Sequence, residues 1–453
     1  MSTKAVYIKT FGCQMNERDS EIIEQLLCQK GYCPVDNAEA ADVVILNTCS
    51  IREKAEQKVF SLLGRLRRQK QENPALLIGV TGCVAQQEGP GLFARMPHVN
   101  FVVGTQQLFQ LPDILHRLER RLSRNEMAIN LEASFSIPPF QKMLLHDSAR
   151  NHSSFQRFVT IMQGCNNYCT YCVVPYTRGR EISRTVADIV EEVQILTKQG
   201  VREITLLGQN VNSYGKTNPV AEGKVSFADL LRLVAAVPGV ERLRFTTSNP
   251  KDLSEGLMRC FAELGNLCPS FHLPVQSGSN AVLRSMNRKY TVEQYLDQVA
   301  SLRRYCPDIA LYTDIIVGFP GETDDDFEKT MDLLKAIRFH GSFSFKYSDR
   351  PRARSVFFAN KVKEEIKTER LARFQALQSK IRMERNKEYI GKTVEVMVES
   401  EGAQQVKGRT ATNHIVHFAT KRQQSLRPGD LVEVLIHSAG NHSLKGISCP
   451  CQE

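Results

Sequence analysis

Short apolar runs, each followed by an amphipathic helical stretch, alternate along most of this chain, and that alternation restricts the fold more than any other feature. Residues 1 to 122 read AVYIKT, a helix from about Glu17, DVVILNT, a helix from about Arg52, LLIGVTG, and NFVVG before TQQLFQLPDILHRLERRL. Short apolar strands between helices imply a parallel sheet and an α/β domain. Residues 123 to 155 lose the periodicity and carry Pro138 and Pro139, so they read as a linker. The alternation returns with FVTIMQ, REITLLG, RLRFTT, FHLPV, IALYTDIIVG and SFSFKY. Six such units over 156 to 387, with a trailing basic helix, predict a (βα)6 barrel or partial barrel whose active edge is the C-terminal ends of its strands. From about 388 to 447 the period changes to two in TVEVMVE, GRTATNHIVHFA and DLVEVLIH, the pattern of a small antiparallel β-barrel.

The chain opens MSTKAVYIKTFGC, where a strand begins at once, so neither a signal peptide nor a transit segment fits ahead of it. No apolar run approaches the roughly 18 residues of a membrane helix. No membrane association is expected, and cytoplasm is the expected compartment. Thirteen cysteines, an odd number spread along the chain, argue for reduced thiols and metal or cluster ligands rather than a disulfide framework. The net charge of +10 suits a polyanionic partner. The terminal module is nearly neutral, so any grip on RNA there is not charge alone.

Cys165, Cys169 and Cys172 stand at CxxxCxxC spacing directly after the first barrel strand. Structural zinc wants four protein ligands, and only a distant residue could complete this set. An iron–sulfur cube fits better, because three thiolates hold three irons and leave the fourth open to a substrate molecule. A second constellation comes from the first domain. Cys13, Cys49 and Cys83 each follow a strand, after Gly12, Thr48 and Gly82, and in a parallel sheet those turns share one edge. They read either as small buried packing residues or as ligands of a second three-thiolate cluster. The other cysteines, at 28, 33, 260, 268, 306, 449 and 451, lack any such pattern and read as structural or incidental.

The CxxxCxxC motif with Tyr171 before its last cysteine, at the end of a first βα strand, resembles the radical S-adenosylmethionine superfamily. The resemblance implies that the amino and carboxylate groups of S-adenosylmethionine chelate the open iron, and that one electron then releases a 5′-deoxyadenosyl radical. TFGCQMNERDSE, NTCSIREKAEQK, VTGCVAQQEG and GCNNYCTYCVVPYTRGREISR together resemble the methylthiotransferases, most nearly the branch acting on isopentenyladenosine beside the anticodon of tRNA. It covers essentially the whole chain, and the last module resembles a TRAM domain. It implies two [4Fe–4S] clusters, a sulfur-carrying one on Cys13, Cys49 and Cys83 and a radical-generating one on Cys165, Cys169 and Cys172. Two S-adenosylmethionine molecules are then consumed per methylthio group placed on C2 of the adenosine.

By the same resemblance Gln209 and Asn210, ending the second strand, take the amino group of S-adenosylmethionine. Ser248 and Gln276, ending the next two, reach ribose and carboxylate, and IVGFPGET with Gly318 and Gly321 backs the adenine. Each also reads as ordinary strand-ending turn chemistry. Two departures stand out: Asn249 where the family usually has His, and Arg352-Ala353 where it usually has Gly-Thr. Basic stretches at 65–70, 116–124 and from 361 read as phosphate contacts or as solvated helix faces. The partners implied are a tRNA anticodon stem-loop and an external one-electron reductant, acting on a monomer whose two main domains close across the linker. Alternatives are methylthiolation of a differently modified tRNA adenosine or of a ribosomal-protein aspartate, and an iron–sulfur RNA-binding or electron-transfer protein without radical chemistry.

Overall fold

The computed structural model describes residues 4–50, 53–132, 135, 137–140, 155–217, 225–402, 405–420 and 426–449. Six strands open the chain: β1 Lys4–Phe11, β2 Tyr32–Pro34, β3 Val43–Thr48, β4 Leu77–Gly82, β5 Phe101–Val103 and β6 Glu126–Ala128. They form one parallel sheet in the order β2-β1-β3-β4-β5-β6. β3, VVILNT, is buried at every position because helices cover both its faces. Two strands go beyond the sequence reading. β2 adds an edge, and β6 lies inside the stretch 123–155 expected to be linker. β6 has too few apolar residues to show a period, and its place is set by pairing with β5 and by Arg117, which grips Glu126 with two nitrogens. Pro138 and Pro139 precede Phe140, whose amide donates to Asp188 of the barrel, and residues 133, 134, 136 and 141–154 lie outside the described set.

The middle of the chain forms β7 Gln156–Thr160, β8 Met162–Gln163, β9 Ile182–Ser183, β10 Glu203–Leu207, β11 Arg242–Phe245, β12 Ser270–His272, β13 Ala310–Val317 and β14 Gly341–Lys346. FVTIMQ is not one strand. It breaks at Ile161, and β8 turns to pair antiparallel with β9, re-aiming the chain toward the cysteine loop. The parallel sheets β11-β10-β7 and β12-β13-β14 are bridged at Leu243 and Leu267, giving six barrel strands with β7 and β14 as free edges. Outward residues such as Ile204, Leu206, Leu243, Phe245, Leu311 and Ile315 join one apolar core with the covering helices. Those helices start at side-chain caps on Thr185, Ser226, Ser254, Thr291 and Thr323, where a hydroxyl accepts an otherwise unpaired amide. Among the described residues no helix is long and apolar enough to cross a membrane.

The helix Glu364–Lys387 leads to β15 Thr393–Glu401, β16 Val406–Thr410, β17 Ile415–Ala419, β18 Leu431–Ala439 and β19 Leu444–Ser448, a closed barrel in the order β15-β16-β17-β19-β18. Its pairs are antiparallel except β17 with β19, a parallel contact that closure requires and alternation alone does not reveal. This barrel caps the amino-terminal edge of the large one. Arg244 donates to the carbonyls of Thr410 and Ala411, Tyr312 to that of Thr412, and Arg202 to that of Gly429.

His340 and His414 meet in this joint with ring centroids 5.8 Å apart. Burial, then His414 and the guanidiniums of Arg385 and Arg303, hold His340 down at about 3; burial, Arg382 and Arg409 hold His414 at about 4. The folded protein keeps both rings neutral where the unfolded chain binds protons, so stability present above the ordinary histidine range is lost as pH falls from about 6.5 toward 4. A loss on the order of 3 kcal/mol for each ring is expected over that range. Calorimetric melting between pH 7 and 4.5 checks it, with His340→Gln giving the flatter profile; a melting point independent of pH there contradicts it.

Candidate active site

The loop after β8 carries Cys165, Cys169 and Cys172 and is pinned on several sides. Cys165 donates its amide to Gly179, Cys172 to Cys169, and Thr170 bonds to the carbonyls of Met286 and Ser285. Gly164 begins the loop at φ +80°, and a Cβ there would lie 2.0 Å from the carbonyl of Arg180. Gly164→Ala therefore meets backbone rather than a movable side chain. It is expected to lower iron bound at this loop at least severalfold while the other cysteine set still loads, as read by iron analysis and Mössbauer spectra. Burial pushes the Cys165 thiol up to about 11 and the Cys172 thiol up to about 12, so a cluster assembling here displaces protons. Arg288, held by the Tyr290 hydroxyl and the Pro274 carbonyl, places a guanidinium nitrogen 3.4 Å from the Cys169 sulfur. That cation stands beside thiolates that would otherwise be desolvated anions.

Beside this loop the barrel's carboxyl edge presents the polar residues expected there. Gln209 accepts the amide of Gly164 at 2.5 Å through Oε1, leaving its buried Nε2 without a partner. Asn210 donates to Asp252 at 2.8 Å and leaves Oδ1 unmet; the buried Ser248 hydroxyl also has no partner. Gln276 sits at φ +75°, with its backbone bonded to Asp314 and Ile316 of β13. Buried polar atoms without partners are costly, and together these fit a polar ligand such as the amino acid and ribose of S-adenosylmethionine. Asn249 has a local role: its side chain caps the turn Pro250–Asp252, and its amide donates to Asn212. Arg352 stands exposed at φ +69°, where its neighbour Ala353 is buried.

Alternation along β12, β13 and β14 sends the residues between the core positions inward. His272 donates its Nε2–H to Asp314 at 2.9 Å, and the Phe343 ring stands edge-on to His272 at 6.0 Å. On β14, Ser344 and Lys346 face the helix Glu364–Lys387 through Gln375, Thr368 and Glu364. Phe343 and Phe345, on the opposite face, remain 54% and 42% exposed beside the open seam between β14 and β7. Two exposed aromatics on one strand face, the first edge-on to a His–Asp pair, can seat a planar base with an apolar substituent. The alternation of Ser and Phe in SFSFKY is the sequence signal for them.

The first sheet brings its three cysteines together. β1 and β3 lie side by side although β2 intervenes in sequence, so the crevice past their carboxyl ends is a switch point. Cys13 ends the turn after β1, Cys49 follows β3 with its amide on Phe11, and Cys83 opens the helix Cys83–Glu88. The Cys13 thiol hydrogen-bonds Cys49, which with the positive charge of Arg178 outweighs burial and lowers it to about 6; burial raises that of Cys83. Beneath them Asn16 donates to Asn47 and to the Thr48 carbonyl, and Cys13 donates to Asn16. The Gly12 and Gly82 backbones approach so closely that added Cβ atoms would lie 2.4 Å from the Cys49 Cβ and 2.5 Å from Asn47 Oδ1. The hydroxyls of Ser50 and Thr81 and one oxygen of Gln87 are buried here without partners. Among the described residues no three His, Cys, Asp or Glu side chains are grouped to hold a single metal ion.

The two cysteine sets belong to domains already joined. Arg18 and Arg184 both bind Glu192, Arg178 binds Asp19 at 2.6 Å, and Thr105 donates to the carbonyl of Thr177. These groups are buried, so the expected closure across a linker is replaced by a packed interface. The basic stretches are partly committed as well. Lys70 binds Asn100 and the Pro74 carbonyl, and Arg370 is buried on Glu322. Arg178 lies in the stretch that follows CxxxCxxC and Arg288 on the turn after the helix Asn280–Ser285, and no local pattern marks either as facing a thiol.

A partial (βα)6 barrel with CxxxCxxC leaving its first strand, packed on a parallel-sheet domain with its own cysteine triad, defines a radical S-adenosylmethionine protein. The chain matches the radical SAM superfamily over residues 159–334 and the uncharacterized protein family UPF0004 over residues 5–104. It is 57% identical over 452 residues to the tRNA-2-methylthio-N(6)-dimethylallyladenosine synthase of Desulfotalea psychrophila, covering 98% of this chain and 99% of that one. With the protein of the same name from Syntrophus aciditrophicus it shares 48% over 449 residues, 98% of this chain and 95% of that one. The chain belongs to the tRNA-2-methylthio-N(6)-dimethylallyladenosine synthase family. Among solved structures, the radical S-adenosylmethionine methyltransferase TsrM from Kitasatospora setae with tryptophan and a SAM analog bound superposes with a TM-score of 0.54 at 13% identity, over 75% of this chain and 72% of that one, a likeness of fold.

Proposed function

We propose that this protein places a methylthio group on C2 of N6-isopentenyladenosine beside the anticodon of tRNA, consuming two S-adenosylmethionine per modification. The observation that carries the reading is the packing of one three-cysteine set, Cys13, Cys49 and Cys83, against the segment that leaves another, Cys165, Cys169 and Cys172. The relatives bear the name of that activity. When bound, two [4Fe–4S] clusters and S-adenosylmethionine supply the sulfur, the methyl group and the one-electron chemistry that opens an aromatic C–H bond.

The protein's own groups bind and orient. Each cysteine set would hold three irons of a cube and leave the fourth to an exogenous ligand. Gln209, Asn210 and Ser248 would meet the polar ends of S-adenosylmethionine with atoms that otherwise lack partners, and Gln276 would join them from the end of its strand. Phe343 and Phe345 would cover the prenylated base, and the His272–Asp314 pair would bond its N6–H and ring nitrogens. Uncommitted lysines and arginines with the terminal barrel would track the anticodon stem, so binding should weaken as salt rises. An external one-electron reductant, a monomeric state and the cytoplasm complete the proposal.

Mass spectrometry of tRNA nucleosides from cells lacking the protein tests it. Loss of 2-methylthio-N6-isopentenyladenosine with its unthiolated precursor retained is expected. Unchanged 2-methylthio adenosines would reject the reading, and loss from a differently decorated adenosine would move the substrate.

A further inference from the structure

Arg18 and Arg178 pair across the interface between the sheet domain and the barrel, Arg184 shares the Glu192 carboxylate that Arg18 reaches, and one of the three is paired unlike the others. Arg184 lies among Asp188, Glu192 and the Thr160 carbonyl, and Arg18 binds Glu21 and Glu192. Arg178 is 3% exposed and has a single carboxylate, Asp19, on one terminal nitrogen. Its other terminal nitrogen is buried without a hydrogen-bond partner, and the guanidinium faces Cys83 and Cys13. A buried guanidinium left with an unmet donor is costly unless something anionic completes it.

We propose that Arg178, supplied by the barrel domain, is the counter-cation and hydrogen-bond donor of the cluster held by Cys13, Cys49 and Cys83. This rests on the two-cluster reading above. A cube held by three thiolates is a net anion and becomes more negative on reduction. In a desolvated crevice it needs a fixed positive charge, and donors to its sulfurs set its potential. Asp19 orients the guanidinium and tempers its charge. Gly179, the next residue, accepts the amide of Cys165, so the backbone that positions the cation also positions the first ligand of the other set.

The test uses the full chain, reconstituted anaerobically with iron and sulfide, and potentiometric titration of both clusters followed by electron paramagnetic resonance. Arg178→Gln keeps a donor for Asp19 and removes the cation. It should retain about eight irons and shift the auxiliary couple to lower potential by at least tenfold in the reduction equilibrium, about 60 mV for one electron. Arg178→Lys should restore most of the shift. Asp19→Asn, which deletes the neighbouring anion and leaves Arg178 in place, should move the potential the opposite way, and it serves if the Gln variant does not fold. Arg18→Lys, in the same interface, should leave both potentials unchanged. Wild-type and variant proteins with eight irons and equal auxiliary potentials would overturn the inference alone. Wild type binding only four irons would remove the two-cluster reading beneath it.

Discussion

Replacing Cys165, Cys169 and Cys172 together with Ala is expected to abolish formation of 5′-deoxyadenosine from S-adenosylmethionine and to halve bound iron from about eight to about four per chain. The remaining iron should sit on Cys13, Cys49 and Cys83, because that crevice is built from the turns after β1, β3 and β4 and shares no ligand with the barrel loop. Small side chains at the three positions leave the loop's backbone anchors at Gly179, Met286 and Ser285 untouched. The protein should therefore fold and still bind RNA. The reciprocal variant, with Ala at 13, 49 and 83, should keep 5′-deoxyadenosine formation and lose sulfur insertion. Loss of all iron in the first variant, or persistence of 5′-deoxyadenosine, would show that the two sets do not act as separate sites.

Glu192→Ala is expected to cost about 3–5 kcal/mol of stability. Glu192 is fully buried, with one oxygen 2.5 Å from Arg18 and the other 2.6 Å from Arg184, so its removal leaves two desolvated guanidiniums short of counter-charge. Arg18 belongs to the sheet domain and Arg184 to the barrel, so the penalty falls on the interface. Denaturant unfolding followed by intrinsic tyrosine fluorescence and by circular dichroism should split into separate transitions for the two domains. A single transition within 1 kcal/mol of wild type would contradict the account. Glu192→Gln, which keeps the acceptor, should lose less.

How much could be read from sequence depended on whether the signal was periodic. The βα alternation, the period-two terminal strands and the CxxxCxxC loop after a strand all matched local backbone geometry, because side-chain spacing of 2 or 3.6 is set within one element. The placement of Cys13, Cys49 and Cys83 was legible for the same reason, since each closes a strand of one parallel sheet. β6 was not: three residues carry no period, and only pairing with β5 and the Arg117–Glu126 fork place them. The role of Asn249 was not legible, because a side chain that caps its own turn leaves no mark in the sequence distinguishable from one that reaches a ligand.

By itself, then, the sequence determined the kinds of elements, their order and the two cysteine sets. Only the tertiary structure decided that the domains meet across buried ion pairs instead of a hinge, that the terminal barrel closes the large barrel's amino-terminal edge through Arg244 and Tyr312, and that Arg178 faces the thiols of another domain. The reason is physical. Those contacts join residues far apart in the chain, and a charge is worth burying only where its partner arrives, which no local pattern encodes.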